Sequence, residues 1–165
     1  MRRLGATLYE AFIVATLLVA VGFALLPFVG PAAAPPSGAE PARSLYALPP
    51  AGRALMTVAA LAVPAAYCVA LWSRGRRTLA MRTWRLALVS DSGQAVSGAR
   101  ALIRYLACLI GPALSIAAFA VLPPAVREAC ALVLLATNYV WSLIDPDRRF
   151  LQDRIAGTRL VRERP

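Results

Sequence analysis

Ten residues into the chain, Glu10 interrupts a run that is otherwise without charge from Leu4 to Val29. A carboxylate facing lipid in such a place costs about 2–3 kcal/mol or more, so it needs polar company. Arg3, Thr7 and Glu10 recur at i, i+4 and i+7 and therefore share one helix face. Far along the chain Asn138, Ser142 and Asp145 repeat that spacing. Asn138 then lies about 10 Å inside Asp145, near the depth of Glu10. Arg100 and Arg104, one turn apart, stand at the entry to another apolar run. Arg3, Glu10, Arg104, Asn138, Asp145 and Asp153 make a candidate polar cluster at the cytoplasmic third of a helix bundle. Two roles fit it. An intramembrane acid serves proton relays and ion coupling, whereas interhelical polar contacts can simply hold helices in register.

Other chemistry is thinly represented. The chain has no His, which removes the commonest general base and metal ligand. There is no Gly-rich phosphate loop, no GxSxG and no CxxC. The eight acids include Asp91 and Glu163, which read as ordinary solvated charges. Cys68, Cys108 and Cys130 fall in apolar runs without paired spacing and read as small fillers. No enzymatic activity, cofactor or metal is expected.

The elements that must position the cluster are read from the apolar runs. Of 165 residues, 59% are hydrophobic, well above the roughly 45–50% of a soluble domain. A spanning helix needs about 20 residues. The runs give helices at about 4–28, 54–73, 100–122 and 124–144. The third is interrupted by Pro112. The fourth is the shortest, with only 16 uncharged residues from Ala129 to Ile144. It reaches spanning length if it starts at Pro124, with Arg127 and Glu128 extending to the interface. The expected fold is thus an all-α membrane protein, a four-helix bundle in one domain, with three spans as the alternative.

Charge orients it. All 18 basic residues are Arg, for a formal net charge of +10. With a cytoplasmic N-terminus, fifteen of them fall on inner segments and only Arg43, Arg53 and Arg127 on outer loops. The positive-inside rule then places both termini in the cytoplasm. Arginines gathered between apolar runs suit anionic lipid headgroups rather than nucleic acid. A second copy of the chain, or other membrane proteins, are further expected partners. The first apolar run exceeds the 7–15 residues of a signal-peptide core, so it is expected to stay as a helix.

Between the helices, residues 29–53 form a Pro- and Ala-rich outer loop, 74–99 a cytoplasmic loop and 145–165 a cytoplasmic tail. In the cytoplasmic loop Trp84, Leu86 and Leu88 alternate with Arg85, Ala87 and Val89 before Ser90-Asp91-Ser92-Gly93. This predicts a strand over Trp84–Val89 and a hairpin turn, with Thr158–Arg162 as a partner strand.

The stretches RRLGATLYEAF, RTLAMRTWRLALVSDSGQAVSGARALIRYL and DPDRRFLQDRIAGTRLV, in that order, resemble the RDD family of bacterial membrane proteins. The likeness covers nearly the whole chain except the Pro/Ala-rich loop. It implies an integral inner-membrane protein and suggests transport of an ion or small ligand, with a structural or accessory subunit as the alternative. Arg3 matches the family's arginine, with Arg2 as substitute. Glu10 stands where the first of its two aspartates falls, one methylene longer. Asp153 matches the second aspartate, with Asp145 as rival.

Overall fold

In a computed structural model, residues 2–30 and 48–162 are described. Most of the expected outer loop, residues 31–47 with Ser37 and Arg43, lies outside them, as does Glu163. The chain divides into two compact units, Thr7–Tyr67 and the pair Met1–Ala6 with Cys68–Pro165.

In the first unit lie most of α1 (Arg2–Leu25) and of α2 (Pro50–Trp72). A turn of 3-10 helix, Leu26–Phe28, ends the first apolar segment. α2 begins four residues ahead of the expected 54, because Pro50 is preset for a first helical turn. The two segments meet where Val29 is buried against Gly52. Phe12 and Phe23 are exposed at 72% and 70%, so α1 turns its largest apolar side chains outward.

The second unit is a helical hairpin joined to a small mixed layer. Ser97 caps α4 (Gly98–Cys108) by accepting from the Arg100 amide. After a break at Leu109 the chain continues as α5 (Ile110–Val121). Leu122 and Pro123 turn it into α6 (Pro124–Leu135), which packs antiparallel on α5. Gly111 permits the closest approach, since a Cβ there would lie 2.6 Å from the Leu135 carbonyl oxygen.

The expected single helix over 124–144 is divided. α6 ends at Ala136, α7 covers Thr137–Val140, and Trp141–Leu143 is a 3-10 turn. The break falls at Ala136, and Thr137–Val140 beyond it are themselves helical. Among the described residues three helices are long and apolar enough to cross a membrane: Arg3–Phe28, Pro50–Trp72 and Gly98–Val121.

The mixed layer contains α3 (Leu79–Thr83), β1 (Leu86–Ser90), α8 (Leu151–Ala156) and β2 (Thr158–Arg162). Thr78 caps α3 through the Met81 amide. β1 and β2 pair antiparallel, from Leu86 opposite Arg162 to Ser90 opposite Thr158. Leu86, Leu88 and Leu160 face a core with Met81, Val96, Ala101 and Phe150. The strand starts two residues later than expected, because Trp84 and Arg85 form a turn and Arg85 adopts φ 53°. Gly93 donates to the Ser90 carbonyl and closes the predicted turn.

Candidate functional site

Arg104, seven residues into α4, reaches Asp153 on α8 with Nε–Oδ1 at 2.7 Å. Their side chains are 5% and 4% exposed. The Arg104 guanidinium lies 4.2 Å from the Trp72 ring centroid, at the end of α2. Thr158, the first residue of β2, places its hydroxyl 3.4 Å from the same Asp153 oxygen. Burial of two charges is costly, and only close pairing with further polar partners repays it. Both partners have such company here. Their pairing joins α4 to α8 and, through Trp72 and Thr158, to α2 and β2.

Asn138 does something else. Pro112 has no amide hydrogen, so the helix ladder loses the bond to the Cys108 carbonyl. Asn138 Nδ2 donates to Cys108 O at 3.0 Å and to Ala107 O at 3.1 Å. A neighbouring side chain thereby satisfies the backbone that a proline disrupts, as a helix in a nonaqueous medium requires. Both neighbours are carbonyls, which fixes the nitrogen toward them and the oxygen away. Asn138 is 3% exposed, and its Oδ1 has no hydrogen-bond partner. The breaks at Leu109 and Ala136 thus face each other across the hairpin. Leu109 stands about 16 Å from the start of α4, near the middle of its apolar length.

Asp145 is buried but acts locally: its Oδ2 accepts from the amides of Asp147 and Arg149 at 3.1 and 2.9 Å. Around it runs a surface chain of charges. Arg149 contacts Asp91 at 2.5 Å and Asp147 at 3.0 Å. Arg154 lies 3.3 Å from Asp147 and 3.9 Å from Asp145. Burial opposes the Arg149 charge, but the Asp91 hydrogen bond and the charges of Asp91, Asp147 and Asp145 outweigh it. Its pKa is raised above the ordinary value. Asp91, expected as a solvated charge and 54% exposed, also pairs with Arg149, fifty-eight positions away. That pairing is invisible in local spacing.

Arg3 Nη1 lies 3.4 Å from the Arg148 carbonyl. Glu10 is half-buried on α1 in the other unit, Thr7–Tyr67. Of the six candidates, then, Arg104 and Asp153 come together directly. Asn138 attends to the α4–α5 break and Asp145 to its own turn. Trp72, Thr158 and Arg149 are the participants that the sequence reading missed. Only Trp72, an aromatic at the end of an apolar run, carried a signal.

The RDD family model matches residues 1–157. The chain belongs to the RDD family. No curated protein and no solved structure matches it. Family membership and three apolar helices of spanning length fit a membrane protein. Within the RDD chain, the residue that the resemblance gives as the second aspartate is Asp153, the buried partner of Arg104. Its rival Asp145 caps a turn.

Proposed function

We propose a four-pass protein of the bacterial inner membrane, both ends cytoplasmic, that passes a proton or small cation beside the helix breaks at Leu109 and Ala136. The observation supporting it most is Asn138 Oδ1, a buried acceptor without a partner between two interrupted helices. Interrupted apolar helices near mid-membrane are where transporters hold their ions. Four passes are supported by the ends of the segments. Gly5 near the start of α1 packs under Trp84, and Trp72 at the end of α2 covers Arg104. Arg104 near the start of α4 meets Asp153, just beyond the last apolar segment. The ends of the apolar segments thus gather at one layer, and the arginine excess supports a cytoplasmic position for it.

The test is flux in reconstituted vesicles under a proton, sodium or potassium gradient. Wild type should conduct, and Asn138→Leu should still insert but lose flux, because the acceptor at the breaks has gone. No wild-type flux with any of the three ions would overturn the transport reading. A second reading, an accessory membrane subunit whose polar groups only fasten helices, is favoured by the closed Arg104–Asp153 pair. It predicts full stability dependence on that pair and no flux.

A further inference from the structure

The contact between Trp72 and Arg104 also bears on what lies one turn beyond it. Cys68 precedes Trp72 by one turn of α2, and Cys108 follows Arg104 by one turn of α4. Side chains four apart share a helix face, so each cysteine stands on the face that carries its half of that contact. Tyr105, 6% exposed, lies within electrostatic reach of both thiols, which puts them in one neighbourhood by a separate route. Cys68 is 5% exposed, and Cys108 is half-buried at the end of α4. Neither is in a disulfide.

Spacing selects the chemistry. A disulfide needs Cα atoms within about 4.4–6.8 Å of each other, whereas packed helices keep their axes about 8–10 Å apart. A metal ion makes a longer bridge, because two bonds of about 2.3 Å separate the sulfurs by about 4.6 Å. Among the described residues no three His, Cys, Asp or Glu side chains gather to hold a metal. Two sulfurs are therefore the ligand set, and thiolate ligands select soft ions such as Cu(I). Hard cations such as Ca²⁺ and Mg²⁺ need more ligands, and need them as oxygen.

We propose that Cys68 and Cys108 form a two-thiolate site for one soft monovalent metal ion of the Cu(I) class. On binding, two S–H bonds break, two metal–sulfur bonds form and two protons leave, with no change in oxidation state. The ion joins the end of α2 to α4 one turn from the buried Arg104–Asp153 pair. This is an equilibrium binding site, and it holds whether or not an ion passes beside Leu109.

The test uses full-length protein in detergent without air, with Cu(I) presented as its bicinchoninate complex, whose colour fades as the metal is withdrawn. Wild type should withdraw one equivalent. Cys68→Ser and Cys108→Ser should each abolish the withdrawal, since one sulfur cannot compete with the chelator. Cys130→Ser removes a thiol of α6 and should still withdraw one equivalent. Circular dichroism checks that each variant keeps its helices. X-ray absorption at the copper edge needs no variant and should show two sulfur neighbours. No withdrawal by wild type, withdrawal that survives Cys68→Ser or Cys108→Ser, loss in Cys130→Ser, or copper without two sulfurs would each overturn the assignment. A Cys68–Cys108 disulfide formed in air by a protein that takes no copper would overturn it too, and would identify a thiol–disulfide pair instead.

Discussion

Arg104 and Asp153 illustrate how a charge pair can be both costly and indispensable. Each is nearly fully covered, so removing one partner strands the other without water. Arg104→Met or Asp153→Asn should therefore lower stability by about 3–5 kcal/mol, read as a fall in thermal midpoint in detergent. Replacing both, as Arg104→Met with Asp153→Leu, should cost less than either single change, because no orphaned charge remains. A loss in the double equal to the sum of the two single losses would show that the pair adds no coupling. As individual candidates both residues were legible, being charges beside apolar runs. Their partnership was not, since forty-nine positions separate them and helical spacing reaches only across adjacent turns. The same limit hid the Asp91–Arg149 contact.

Among the elements, those governed by local rules were legible and those shaped by neighbours were not. β1 and β2 followed from alternation, which determines which side chains face a core. The short helices α3 and α8 gave no amphipathic signal, having five and six residues. Periodicity needs a longer window than that. The division of the fourth apolar segment reflects a tertiary exchange: Pro112 removes a donor from one helix, and Asn138 supplies donors from the other. This exchange makes a cycle. Asn138→Leu alone should be destabilising by about 1–2 kcal/mol, because two carbonyls lose donors in an apolar setting. With Pro112→Ala present, the restored amide can serve Cys108, so the same substitution should cost measurably less. Additive effects in thermal unfolding would refute the exchange. Gly111→Ala should also destabilise, by about 1–3 kcal/mol, since its methyl would press on the Leu135 backbone oxygen rather than on a yielding side chain.

At the scale of the whole molecule the expectation is one of sidedness. Reporter fusions at Ser37 and after β2 should report opposite compartments if residues 31–47 are external and the mixed layer internal. Matching signals would require an odd number of passes between them to be replaced by an even one. The arginine distribution carries this expectation, because the positive-inside rule depends on composition near helix ends rather than on contacts. The division into two units was not legible, since the boundary between Tyr67 and Cys68 falls inside one apolar helix.

The pairing of Ser90 with Thr158 also sets an order of events during synthesis. Sixty-eight positions separate the two strands, and the whole α4–α6 hairpin is made between them. At about 5–20 residues per second, β1 waits several seconds after leaving the ribosome before its partner exists. Throughout that interval its backbone donors and acceptors form an unprotected edge, open to a neighbouring nascent chain. The layer can close only after the hairpin has been made. Hairpin formation and closure are therefore successive steps, and chains ending at Gly157 should be more susceptible to protease in β1 than the full chain.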